Sequence, residues 1–221
     1  MLSKRIKVIY NSLDFDAQNR IFNSLKNIDI TVLRTELGLS LDRPIILCLS
    51  RLTKICYYEW LIEAAAKSSL RQLNPKIVFI GDGPMLSHLS DLARENEIDA
   101  VFLGAIYDEA LLGKYIMAVD TVVSPGKVGL TAMHALAYGT PVVTHGDFDT
   151  QMPEVEAVVP GNTGAFFDCG SSKDLGRAVS DVLNWTVPLI SRREICRNLI
   201  VEKYNPEVQR RLIDEAIDAV L

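Results

Sequence analysis

Short apolar runs recur along the chain, and each stops too soon to be a buried helix. Ile45–Leu49, Lys76–Ile80, Ala118–Val123 and Pro141–Thr144 are the clearest, with Ile6–Tyr10, Ala100–Leu103 and Gly164–Phe167 shorter versions. A run without polar alternation reads as a strand buried on both faces, and such strands belong to parallel sheets covered by helices. The intervening segments carry helical spacing: Phe15–Leu37 with a break near Ile28–Ile30, Tyr57–Arg71, a stretch ending near Asn96, and Asp108–Met117. Ser172–Trp185, Pro188–Tyr204 and Pro206–Leu221 close the chain in the same way. Glycine and proline punctuate the joins. The pattern predicts an α/β fold, a doubly wound parallel sheet with helices on both faces.

Residues 1–40 read as an opening strand and a helical linker, 41–186 as the sheet domain, and 187–221 as closing helices packed on the same domain. A chain of 221 residues, 48% hydrophobic, can bury one good core. The net charge of −5, with no long Lys/Arg block, argues against nucleic acid as a partner. Cys48, Cys56, Cys169 and Cys196 form neither a CxxC pair nor a Cys/His cluster. They are expected to be reduced and mostly buried, which points to a cytoplasmic protein without a zinc site. Residues 1–20 lack a signal-peptide core, and no apolar run reaches the roughly 20 residues of a membrane span.

In a doubly wound sheet the ligand lies at the carboxyl ends of the strands. That rule gathers Ser50–Cys56, Gly81–Pro84, Gly104–Asp108 and Ser124–Gly129, with His145–Glu154 and Gly161–Gly164 as candidate rims. The strongest signal is Ser124-Pro125-Gly126-Lys127-Val128-Gly129-Leu130, a glycine turn opening a helix that runs to Ala137. Free N–H groups at such a start suit a phosphate or a sugar hydroxyl. A tight turn needing glycine only for geometry explains the stretch about as well. Arg51 and Lys54 offer two cations for a diphosphate, against the plainer reading of a solvated loop. Gly83 lets the backbone approach a ligand closely, or merely turns. His134 falls on the same helical stripe as Leu130 and Ala137, where a packed core histidine is the commoner outcome. Glu154 reads as a hydroxyl acceptor or a helix cap. No nucleophile–base order and no metal spacing stands out.

In their order, these segments resemble the C-terminal, donor-binding domain of retaining GT-B glycosyltransferases, the glycosyl transferases group 1 family. The match runs through Val8–Asp14, Leu47-Cys48-Leu49-Ser50-Arg51-Leu52, Leu61–Ala64, Val78–Pro84, Val101–Gly104, Ala118–Pro125, Ala135–Pro141, Pro153–Val155 and Gly161–Gly164. The resemblance implies a Rossmann-like half of a GT-B fold. It implies a nucleotide sugar as substrate, with the base near Ala105 and Ile106 and the diphosphate at Arg51. The turn through Gly126, Lys127, Val128, Gly129 and Leu130 then presents N–H groups to phosphate and sugar. The family's two donor-contacting glutamates correspond to Gly126 and His134, and its lysine to Cys56, so this chain is a variant. Lys127, with Lys54, is expected to supply the missing positive charge, and His134 to bond a ribose or sugar hydroxyl.

The family's acceptor-binding domain precedes this one and is expected to lie outside these residues. The implied function is donor binding for retaining transfer of a hexosyl-type sugar to a glycan or lipid-linked acceptor, as in polysaccharide biosynthesis, with no cofactor and no metal. The full-length enzyme leaves room for peripheral membrane association, and this portion alone is expected to be inactive. An NDP-sugar epimerase of the same architecture and a non-catalytic docking module are the alternatives.

Overall fold

A computed structural model describes residues 7–219. Six strands form one sheet in the order β3-β2-β1-β4-β5-β6, every pair parallel. They are β1 (Ile45–Leu49), β2 (Lys76–Ile80), β3 (Ala100–Phe102), β4 (Thr121–Ser124), β5 (Val142–His145) and β6 (Gly164–Phe167). Successive side chains on a strand point to opposite faces. Ile45 and Leu47 therefore enter one core cluster, and Ile46 and Cys48 the other. Helices α1 (Phe15–Leu25), α2 (Ile30–Glu36), α5 (Glu109–Ala118), α6 (Leu130–Ala137) and α8 (Leu189–Lys203) cover the first face. Helices α3 (Tyr58–Lys67), α4 (Leu86–Glu95) and α7 (Ser172–Leu183) cover the second. Helix α9 (Pro206–Asp218) follows α8 and buries none of its side chains.

The α/β expectation holds, and four details differ from it. The strand expected over Ala118–Val123 begins only at Thr121, because α5 runs on through Ala118. One apolar run thus serves the end of a helix and the start of a strand, and periodicity cannot divide it. Asp120 marks the join by accepting from Ile45 N at 2.7 Å and from Arg34 Nη2 at 2.7 Å. The opening strand does not form over residues 7–14; Ile6, Leu221 and the start of the chain lie outside the described residues. Side chains dock this segment instead. Tyr10 meets Tyr204 edge-on at 5.0 Å, and Ser12 Oγ donates to Gln209 at 2.7 Å. Gly161–Gly164 sits at the amino end of the sheet, since Val142 N bonds Thr163 O at the start of β5, so it cannot rim the site. Cys48 and Cys196 are buried as expected, but Cys56 is half-buried and Cys169 exposed; all four are free.

Candidate functional site

The strand order reverses between β1 and β4, and in such a sheet the carboxyl ends at that point are where a ligand is expected. On the β1 side, the loops after β1, β2 and β3 enclose a pocket of about 500 Å³. Arg51, Gly83 and Ile106 line it together, with Tyr107 at its rim, 92% exposed. The floor exists because the loops pack backbone to backbone. A Cβ on Gly81 would lie 1.8 Å from Ser50 O, and one on Gly83 would lie 2.3 Å from Leu52 O. Glycine is needed here for close approach as well as for backbone freedom.

The pocket is joined to the glycine turn. Thr131 Oγ1, in the first turn of α6, donates to Leu49 O at 2.9 Å, which fixes the start of α6 against the end of β1. The turn also rests on the β1 loop: a Cβ on Gly126 would meet Ile55 O at 1.9 Å and Cys56 Cα at 2.9 Å. Gly126 is accordingly buried, as is Val128, while Lys127 and Leu130 are exposed. Gly129, at φ +47°, starts the helix. Lys54 is exposed, on the short helical turn Lys54–Cys56.

Gln151 holds the turn in shape. Its Oε1 accepts from Val128 N at 3.0 Å, and its Nε2 donates to Gly126 O at 3.0 Å and Thr144 Oγ1 at 2.9 Å. One Val128 N–H that the sequence offered to a ligand is therefore taken by protein. Nothing in the sequence signals this, since Gln151 sits in an irregular stretch without periodicity. Gln151→Ala strips partners from buried polar groups and is expected to destabilise the fold by about 1–3 kcal/mol. Chemical denaturation measures it, and an unchanged midpoint would contradict the assignment.

His134 lies one turn further along α6, with its Nε2 2.9 Å from Glu109 Oε1 and its side chain 18% exposed. Tyr138 Oη donates to the same oxygen at 2.7 Å. Burial alone would raise the Glu109 carboxyl, but bonds from His134 and Tyr138 outweigh it and hold it below its ordinary value. Burial first, and then Glu109, push the Tyr138 phenol well up. Glu109 opens α5 directly after the loop carrying Ile106 and Tyr107, so the pair ties that loop to α6. Glu109 does not announce this role from its position, because an acidic residue in a first helical turn is ordinary.

Glu154 is not at the pocket. It is buried in the turn Pro153–Ala157, where its Oε1 accepts from Asn11 Nδ2 at 3.0 Å and its Oε2 has no partner among the described residues. His145 ends β5, and burial lowers its imidazole, partly opposed by Asp147. Among the described residues no group of three or more His, Cys, Asp or Glu is placed to hold a metal ion. No helix among them is long and apolar enough to cross a membrane.

The family model described as glycosyl transferases group 1 matches residues 29–217. The alpha-monoglucosyldiacylglycerol synthase of Streptococcus pneumoniae is 31% identical over 127 residues, covering 56% of this chain and 29% of that protein. The GDP-mannose-dependent alpha-(1-6)-phosphatidylinositol monomannoside mannosyltransferase of Mycolicibacterium smegmatis is 29% identical over 163 residues, covering 68% of this chain and 41% of that protein. The chain thus spans less than half the length of these curated relatives. Among solved structures, Alr3699/HepE of Anabaena in complex with UDP superposes with a TM-score of 0.76 at 21% identity, covering 96% of this chain and 57% of that one. That likeness shows the Rossmann-like α/β fold of the matched part of a GT-B protein.

Proposed function

Because the chain belongs to the glycosyl transferases group 1 family, we propose that it is the donor-binding half of a glycosyltransferase, holding a nucleotide sugar along the carboxyl edge of its sheet. One observation carries the reading. The pocket of Arg51, Gly83 and Ile106 has Leu49 in its lining, and the Thr131–Leu49 bond holds the start of α6 against that residue. Base and ribose lie toward Ile106 and Tyr107, and the diphosphate lies between Arg51 and the first N–H groups of α6. Leu130 and Thr131 carry N–H groups without a carbonyl partner among the described residues, as at any helix start. Arg51 and those N–H groups stabilise the charge that builds on the leaving diphosphate, which is electrostatic catalysis. The sugar then passes with retention to a glycan or lipid-linked acceptor that a second domain brings. No metal enters the proposal. On this reading the chain binds donor and transfers nothing alone.

UDP is the nucleotide in the Anabaena complex, and GDP-mannose is in the name of the Mycolicibacterium relative, so both belong in the test. The experiment is incubation with UDP- and GDP-sugars, without acceptor, followed by amide NMR and product analysis. Shifts in the loops after β1, β2 and β4, with the donor recovered unchanged, are expected. Conversion to an epimer would favour the epimerase instead, and no shift with any donor would remove the proposal.

Lys127 is exposed in the turn and takes the charge role that Cys56 cannot. A charge-assisted bond at an exposed site should make Lys127→Ala bind donor about tenfold more weakly. Unchanged affinity would sink that role. A second reading, a nucleotide-sugar-binding module without catalysis, draws on the absence of any side chain at Gly126, which packs on Ile55. Donor binding with no turnover, even when an acceptor-binding half is supplied, would favour it.

A further inference from the structure

A groove larger than the carboxyl-edge pocket lies elsewhere on the domain. It is a cleft of about 980 Å³ between the end of α1, the α1–α2 turn and α8. Its location follows from strand direction. Arg193 Nη2 donates to Met117 O at 2.6 Å, and Arg197 Nη1 to Ala137 O. Those carbonyls end α5 and α6, which run back to the amino edge of the sheet. The groove is therefore at the opposite end of the domain from Arg51 and the glycine turn.

Its floor is cationic and buried. Arg193 is only 7% exposed and Arg197 9%. Neither makes a salt bridge among the described residues. Buried charges are normally paired, because leaving one desolvated and unmatched is costly. Arg197 is nearly satisfied: it bonds Ala137 O and Asn19 Oδ1, and lies over the Phe22 ring at 3.7 Å. Arg193 is not. A helix C-terminus offsets part of its charge, but that uses one N–H; its Nε and Nη1 have no protein acceptor among the described residues and are not among the fully buried polar atoms, so they are left to what enters the groove. Burial, with Arg192 beside it, pushes its guanidinium down to about 10.

The rim adds donors and few competing acceptors. Lys26, Asn23 and Asn27 face the groove, with Glu194 and Asp29 as its carboxylates. Asp29 is engaged in capping α2, accepting from Thr31 N and Thr31 Oγ1. Phe22 and Ile28 provide an apolar flank. A cleft of this size, mostly apolar with a few convergent polar groups, suits a small organic molecule.

We propose that this groove is a second ligand site, taking a small organic oxyanion whose phosphate or carboxylate head meets Arg193 and Lys26. The site is independent of the donor pocket and stands whether or not donor binding is confirmed. It gives the domain a place to sense a metabolite at the edge away from the donor.

The test is NMR of the whole chain, following the Arg193 Nε–H and the Asn23 and Asn27 side-chain amides. The probes are inorganic phosphate and acetate, each against chloride at equal ionic strength. A saturable shift with either probe is expected, and the stronger probe identifies the head group. Lys26→Glu, a change at an exposed residue, should weaken binding at least fivefold. Arg193→Lys, which keeps charge and stem, should weaken it further. Arg51→Ala should leave it unchanged, which separates this site from phosphate bound in the donor pocket. No saturable shift with either probe, equal midpoints in wild type and Lys26→Glu, or a shift lost in Arg51→Ala would each overturn the proposal.

Discussion

Gly126→Glu is expected to abolish donor binding, although it restores the carboxylate that the family usually keeps at this position. The reason is space. Even a Cβ at residue 126 would lie 1.9 Å from Ile55 O and 2.9 Å from Cys56 Cα, both backbone atoms. Something must move, and the short turn Lys54–Cys56 is the mobile side of the contact, because β4 and β5 hold the other. Moving it carries away Lys54 and the end of the loop that begins at Arg51. Gly126 O would also be pulled from Gln151 Nε2. Overpacking of this kind costs about 1–3 kcal/mol of stability, and the displaced loop takes the diphosphate contacts with it. Gly126→Ala should show the same direction more mildly. Denaturation and donor titration on both variants measure it. A Gly126→Glu protein that binds donor more tightly than wild type would mean that the two loops do not pack as described.

Arg51→Ala is the second large effect. Arg51 is exposed at the pocket, and no side-chain hydrogen bond or salt bridge engages it among the described residues, so its removal should leave the fold intact. A guanidinium lining this pocket can meet a diphosphate with two parallel N–H donors. A charge-assisted bond is worth about 1.5–3 kcal/mol, which makes the expected loss of affinity roughly ten- to a hundredfold. The melting temperature without ligand should not change. Equal loss of stability and affinity would instead mean that Arg51 supports the loop and does not meet the ligand. The Lys variant separates charge from geometry: a point charge restores part of the attraction but not a two-pronged contact.

Much of the sheet was legible because its code is local. Ile45–Leu49 is apolar at every position, and only a strand covered on both faces explains that. The loops that gather at the carboxyl edge followed from the doubly wound order, and the structure places Arg51, Gly83 and Ile106 in one pocket. What was not legible depends on partners distant in sequence. Gln151 reaches back to Gly126 and Val128 across β5, and the amide pattern that suits it is invisible from a single side chain. His134 and Glu109 are on different helices, and each alone has an ordinary explanation. Glu154 looked like a site residue because its motif is near the right strand, yet the helical turn aims it at Asn11. Arg193 sits in a helix without a clear apolar stripe, so its burial comes from what packs around it. The boundary of β4 failed for a different reason, since strand and helix share one apolar run there.

These points also separate support from contact in the glycine turn. Gly126 and Val128 are buried and shape the turn, whereas Lys127 and Leu130 are exposed. Substitutions in the first group should act through stability, and those in the second through affinity.

The most direct measurement is calorimetric titration of the 221-residue chain with UDP- and GDP-sugars, with Arg51→Ala run beside it. Saturable heat with one nucleotide class, weakened roughly ten- to a hundredfold in Arg51→Ala, is the result this account predicts. No heat with any nucleotide sugar, or binding untouched by Arg51→Ala, would contradict it.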